Sequence, residues 1–220
     1  MYTNPQRAVT DESKELRKQA GAWMRSVRER QGLTQHDVGT FAGYRYYTQY
    51  SAIEQGVGRV APDRYAVISA ALGVDPSFFA RKLMCFYDPL TFDVLFTEAD
   101  IDDDGTHLRE PMGAVRDLPA YTSDGLKTLR KEAGQFIQSV REEAGLTQVD
   151  MADRMGYKFY TRVSQIERGV GRVPPEDFVT FTKALGVDPK PFVRRLLQAY
   201  DPIVYHLAFE QPVSRESVAG

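Results

Sequence analysis

Arg162 and Gln165 are the pair whose residue types and spacing best suit recognition chemistry in this 220-residue chain. Standing three apart, they share one face of any helix that contains them. Arg carries a planar fork of donors and Gln a donor beside an acceptor, so both can make paired hydrogen bonds to a flat, polar edge. Covalent or acid-base chemistry has no comparable support. His36, His107 and His206 are scattered, and the chain has no His-Glu-x-x-His, no phosphate loop ending in Gly-Lys-Ser/Thr and no nucleophile motif. The expectation is therefore no enzyme and no cofactor. Asp100-x-Asp102-x-Asp104-Gly105 matches the first half of a calcium loop, but Pro111 stands where the closing bidentate Glu belongs. A solvated acidic connector is the preferred reading, and no metal is expected.

The pair lies within a stretch that occurs twice. Residues 145–169 read GLTQVDMADRMGYKFYTRVSQIERG, and residues 32–56 read GLTQHDVGTFAGYRYYTQYSAIEQG, at a constant offset of 113 with no gap. An internal repeat settles the number of domains at two. The expected layout is an N-terminal tail over 1–15, a first domain over 16–96, an acidic linker over 97–123, a second domain over 124–209 and a C-terminal tail over 210–220. Each copy is long enough to bury one small core.

Helical punctuation recurs in both copies. Leu16, Ala20, Trp23, Met24 and Val27 repeat at helical spacing, and Gly32 ends that helix. Thr34 is a good N-cap for a short second helix, Gly43 supplies the turn, and a third helix runs from about Tyr46 to Gln55 with Tyr50 and Ile53 facing inward. Pro62 opens a fourth helix that Gly73 closes, and Asp75-Pro76 caps a fifth. Asp88-Pro89 starts a short apolar segment, LTFDVLF, read as a helix in preference to a strand. Gly145, Gly156, Gly169, Pro175, Gly186, Asp188-Pro189 and Asp201-Pro202 repeat these marks. The fold expected is all-α, with two tandem five-helix domains, each followed by a short apolar helix. Val38, Ile53, Met151, Met155, Val163 and Ile166 are core candidates, and Cys85 reads as a buried apolar thiol.

Net charge is −2 over the whole chain and unevenly placed: +3 over residues 16–96, +2 over 129–209 and −5 over the connector 97–128. Weakly basic domains neither prove nor exclude binding to a polyanion, since only the docking face must be positive. One cysteine excludes an internal disulfide, and neither a leader-like apolar region nor a bilayer-length apolar run is present. A cytoplasmic protein is expected.

Two short helices joined by a glycine-containing turn form a helix-turn-helix. The run LTQ, then Ala152, Gly156 and SQIERG ending at Gly169, resembles the Cro/C1-type (XRE) helix-turn-helix family of DNA-binding regulators. The resemblance covers 129 to about 197, and 16 to about 84 less fully. It implies two lambda-repressor-like domains that regulate transcription by binding double-stranded DNA, with the third helix of each in the major groove. Base contacts implied in the second copy are Tyr160, Thr161, Arg162 and Gln165, where Arg suits guanine and Gln adenine. Those in the first are Tyr47, Thr48 and Gln49, with Ala52 in place of Gln165. Gln35 and Gln148 match a family glutamine that binds a phosphate and braces the third helix. Arg45, Lys158, Arg59 and Arg172 are further phosphate candidates, the last two in loops where glycines allow close approach. Glu54 and Glu167 match a family glutamate that is structural.

Between Gly156 and Gly169 the chain has one residue more than the family pattern, which leaves two roles for Tyr46, Tyr47, Phe159 and Tyr160. They could stack in the groove or, the preferred reading, pack at the helix entry as a hydrophobic staple. The alternative function is a protein-interaction module, antitoxin-like or a co-regulator subunit, that keeps the helices but does not read sequence. The apolar segments Leu90 to Phe96 and Ile203 to Phe209 motivate it. Either they cover their own repeat, the preferred reading, or they form a homodimer or partner surface.

Overall fold

A computed structural model describes residues 11–102 and 107–209. The termini, together with Asp104 and Gly105 of the calcium-like run, lie outside the described residues. The described chain is all-α. Its helices are α1 (Asp11–Arg30), α2 (Gln35–Phe41), α3 (Thr48–Glu54), α4 (Tyr65–Leu72), α5 (Pro76–Tyr87), α6 (Pro89–Leu95), α7 (Ser123–Glu143), α8 (Gln148–Arg154), α9 (Thr161–Glu167), α10 (Phe178–Leu185), α11 (Pro189–Tyr200) and α12 (Pro202–Phe209). LTFDVLF is helical, and among the described residues the β-structure is confined to an isolated Val74–Leu108 bridge.

Local sequence explains the ends. Thr34 and Thr147 each accept from a backbone N–H three residues on, while Asp37 and Asp150 reach back, so both copies close a capping box. Asp75 and Asp188 cap α5 and α11 ahead of Pro76 and Pro189. Pro62 and Pro175 each open a 3₁₀ turn, Pro62–Arg64 and Pro175–Asp177, that leads into α4 and α10. Two expected starts move. Helix α1 begins at Asp11, where Asp11 and Glu12 suit the positive end of the helix dipole. Helices α3 and α9 begin at Thr48 and Thr161, which leaves Tyr47 and Tyr160 as N-caps.

Contacts divide the described chain into two units, one of residues 11–89, 97–117 and 207–209, the other of residues 90–96 and 118–206. The first buries Ala20, Met24, Val38, Tyr50, Ile68, Leu72, Phe79 and Leu83. The second buries Ala133, Ile137, Met151, Val163, Ile166, Phe181 and Leu196. Met155 and Cys85 are only half-buried, short of the enclosure expected from their apolar neighbours. The groups differ from the sequence reading in placing 90–96 with the second unit. Phe92, Leu95, Leu207 and Ala208 are buried, while Val94, Phe96, Ile203, Tyr205 and Phe209 are half-buried and Leu90 is exposed.

The connector is also less free than a linker. Thr97 and Asp100 close a capping box on the 3₁₀ turn Glu98–Ile101, Ile101 is buried, and Lys82 donates to its carbonyl at 3.0 Å. Residues 107–112 hydrogen-bond to the corner between α4 and α5. Turn-forming composition concealed this because such docking rests on backbone groups and on single side chains, Arg109 and His107, that pair with residues more than 25 positions away and leave no periodic pattern.

Candidate nucleic-acid interface

Helix α9 is held from within by charge. Arg141 of α7, 6 % exposed, donates through Nε and Nη2 to the two carboxylate oxygens of Glu167, 4 % exposed, at 2.5 and 3.1 Å. Its Nη1 donates to the Leu146 carbonyl, and Gln148 Nε2 donates to Glu167 Oε2 at 2.7 Å. The buried Arg141–Glu167 pair thus ties α7, the turn, α8 and the end of α9 together. Arg28, Leu33, Gln35 and Glu54 repeat the arrangement in the first unit, with Arg28 donating to Glu54 at 2.7 and 3.0 Å and Gln35 at 2.8 Å. In each unit the hydrogen bond to the glutamate, outweighing desolvation, raises the arginine pKa and keeps the guanidinium charged. The bracing expected of Gln35 and Gln148 is thus visible.

Close approach completes the lock. Gly21 and Gly134 lie where α1 and α7 cross the ends of α3 and α9, and a Cβ there would run into the Glu54 or Glu167 carbonyl. The sequence reading missed both glycines and both arginines. Their signal was available: each stands at the same position in both copies, inside an otherwise regular helix.

The outer face of α9 is free of core duties. Thr161, Arg162 and Gln165 are exposed, and so are Thr48 and Gln49 of α3. Arg162 lies 4.1 Å from the centroid of the Tyr157 ring and donates to Asp177 Oδ2 at 3.3 Å. The same oxygen accepts the Tyr157 hydroxyl at 2.6 Å. Burial, then the Asp177 hydrogen bond, pushes the Tyr157 phenol up, so it stays a donor. In the first unit the guanidinium comes from elsewhere. Arg64, at the position of Asp177, lies 5.4 Å over Tyr44 and donates to the Ala42 carbonyl. Both units stack an arginine on the turn tyrosine, but only the second draws it from the third helix.

The aromatic pairs before these helices overturn the preferred staple reading. Tyr46, Tyr47, Phe159 and Tyr160 are 50–61 % exposed. Arg45 and Lys158 lie over the rings of Tyr46 and Phe159 at 5.2 and 5.3 Å, giving each turn an exposed aromatic and cationic rim. These rings face away from the core rather than folding onto it.

Arg59 and Arg172 are not loose loop cations. They lie 4.5 and 5.1 Å over Tyr87 and Tyr200, whose hydroxyls accept from Val60 and Val173 backbone N–H groups. Burial pushes the Tyr87 phenol up to about 12. Each arginine is pre-positioned by a ring beside the loop after the third helix.

A family model described as a helix-turn-helix domain matches residues 126–193. Comparison with curated proteins and with solved structures finds no match. The match begins in α7, spans the α8-turn-α9 pair braced by Arg141 and Glu167, and ends in α11. The second unit carries a helix-turn-helix domain.

Proposed function

We propose that this chain is a sequence-specific transcriptional regulator of the Cro/C1 (XRE) type that binds double-stranded DNA through two helix-turn-helix units. The observation that carries this reading is the division of α9 into an inner face locked by Glu167 and Ile166 and an outer face presenting Thr161, Arg162 and Gln165. A helix fixed on its inner side with planar forks exposed on its outer side, Arg162 there resting against Tyr157 and Asp177, is what base-edge reading requires. Helix α9 enters the major groove, Arg162 and Gln165 read bases, and Tyr160 and Thr161 flank them. Arg172, Lys158 and Gln148 contact phosphates. Helix α3, with Thr48 and Gln49 beside Tyr47, and with Gln35, Arg45 and Arg59 on phosphates, serves as the less discriminating anchor because Ala52 lacks a fork.

Arg162→Ala should cost about 1–3 kcal/mol on the best site and relax preference at one base pair. A quantitative titration over single-base variants checks this, and unchanged affinity with unchanged preference would sink the assignment. Asp177→Asn makes the opposite prediction. Its carboxylate now holds Arg162 back and repels phosphate, so its removal should tighten binding to every duplex by about 0.5–1 kcal/mol. Matched titrations on specific and unrelated duplexes would show it, and equal affinities for variant and wild type would contradict it.

A further inference from the structure

In the first unit the corner between α4 and α5 is covered by the chain itself. Asp75 N donates to the His107 carbonyl at 2.9 Å, and Arg109 N donates to the Gly73 carbonyl at 2.6 Å. Arg109 Nη2 pairs with Asp75 Oδ2 at 2.6 Å, and the His107 ring stacks on Phe78 at 4.0 Å. Beneath this segment Val27, Val74 and Phe78 are 1–3 % exposed.

The second unit keeps the receiving surface, and among the described residues no segment lies across it. Phe136, Val140, Val187, Asp188, Pro191 and Phe192, with Arg195 at the rim, line an open groove of about 390 Å³. Val140 and Val187, which correspond to Val27 and Val74, are half-exposed, and Pro191, at the place of Phe78, is exposed. A Cβ at Gly73 would run into the Arg109 carbonyl, whereas one at Gly186 meets nothing within 4 Å. Asp188 uses Oδ1 to cap α11 through Lys190 N at 2.9 Å, as Asp75 uses its Oδ1 on α5. Asp188 Oδ2, the counterpart of the atom that receives Arg109, has no partner among the described residues. The same holds for Asp188 N and the Gly186 carbonyl, counterparts of the two backbone groups that hold the first unit's segment. The third such group differs, since Arg154 Nη1 already donates to the Ala184 carbonyl at 2.8 Å.

We propose that this groove docks an extended, arginine-bearing peptide segment of a partner protein, seated as His107–Arg109 is seated on the first unit. Two backbone hydrogen bonds at Gly186 and Asp188 fix the peptide's direction, as in strand addition. An aliphatic side chain fills the space between Val140 and Val187, a flat ring covers Pro191, and the arginine pairs with Asp188. Charge complementarity selects the arginine: the open site repeats the carboxylate that Arg109 meets in the filled one.

The test titrates a blocked synthetic peptide, HLREPMG, corresponding to residues 107–113, into the full chain and follows backbone amide resonances. Saturable shifts at Gly186, Val187 and Asp188 are expected. They should weaken about fivefold for Asp188→Asn, which keeps the N-cap, and by a similar factor when the peptide's Arg is replaced by Gln. Three results would overturn the proposal: no shifts at millimolar peptide, equal affinity in all three pairings, or shifts confined to Gly73–Asp75, where the peptide merely displaces the native segment. Sedimentation closes the remaining route, because self-association abolished by Arg109→Gln would make a second copy of the chain the occupant in place of a partner protein.

Discussion

Glu167→Ala should destabilise the second unit by about 3–5 kcal/mol, the range for a buried ion pair that loses one partner. The side chain is 4 % exposed and accepts from Arg141 and Gln148, so its removal leaves a buried guanidinium with only the exposed Glu142 carboxylate, at 3.4 Å, as counter-charge and strands the Gln148 amide. Marginal stability makes a loss of that size close to unfolding for a unit this small. Amide exchange across α7 and α9 reads the effect, while the fluorescence of Trp23, the single tryptophan, follows the first unit. Protection unchanged in α9 would show that the pair is dispensable. Replacing both partners together, Arg141→Met with Glu167→Leu, should recover most of the loss, because the desolvation penalty disappears with the charges.

Gly134→Ala should cost about 3 kcal/mol despite placing a better helix former inside a 21-residue helix. Helix propensity alone would favour alanine by about 1 kcal/mol. Opposing it, the new Cβ runs into the backbone of Glu167, and neither helix can yield without breaking the Arg141–Glu167 geometry. Gly145→Ala is the internal control. That glycine has φ of 69°, and a Cβ added there would meet nothing within 4 Å, so only the left-handed strain of about 1–2 kcal/mol applies. Urea denaturation of both variants ranks them, and a Gly134→Ala midpoint at or above wild type would remove the close-crossing account.

Much of the fold was legible because it is written in local signals. Thr34, Thr147, Asp75 and Asp188 cap helices through their own side chains, and Pro62, Pro175, Gly73 and Gly186 restrict or permit backbone angles irrespective of context. Non-local features were not legible within a single copy, although Arg28 and Arg141 recur at matching positions in the two. The pairing of Arg28 with Glu54 and of Arg141 with Glu167 spans 26 residues, and nothing in a helix's own pattern marks one arginine as buried. Docking of residues 107–112 combines backbone hydrogen bonds with the distant Arg109–Asp75 and His107–Phe78 contacts, and composition pointed the other way. The exposed Tyr46, Tyr47, Phe159 and Tyr160 show a different limit. Apolar character suggested packing, yet the turn leaves the rings half or more exposed, with Arg45 and Lys158 over two of them. The residues proposed to read DNA come from a family resemblance carried over by position, and the Tyr157–Asp177 hold on Arg162 required knowing what the turn brings beside α9.

Genome-wide occupancy of the full chain, mapped for wild type and for Arg162→Ala in parallel, tests direct sequence reading most directly. Discrete wild-type peaks sharing one sequence are predicted, with the variant losing preference at a single position of that sequence. An absence of discrete peaks, or peaks without a common sequence that persist unchanged in the variant, would contradict it and favour recruitment through protein partners.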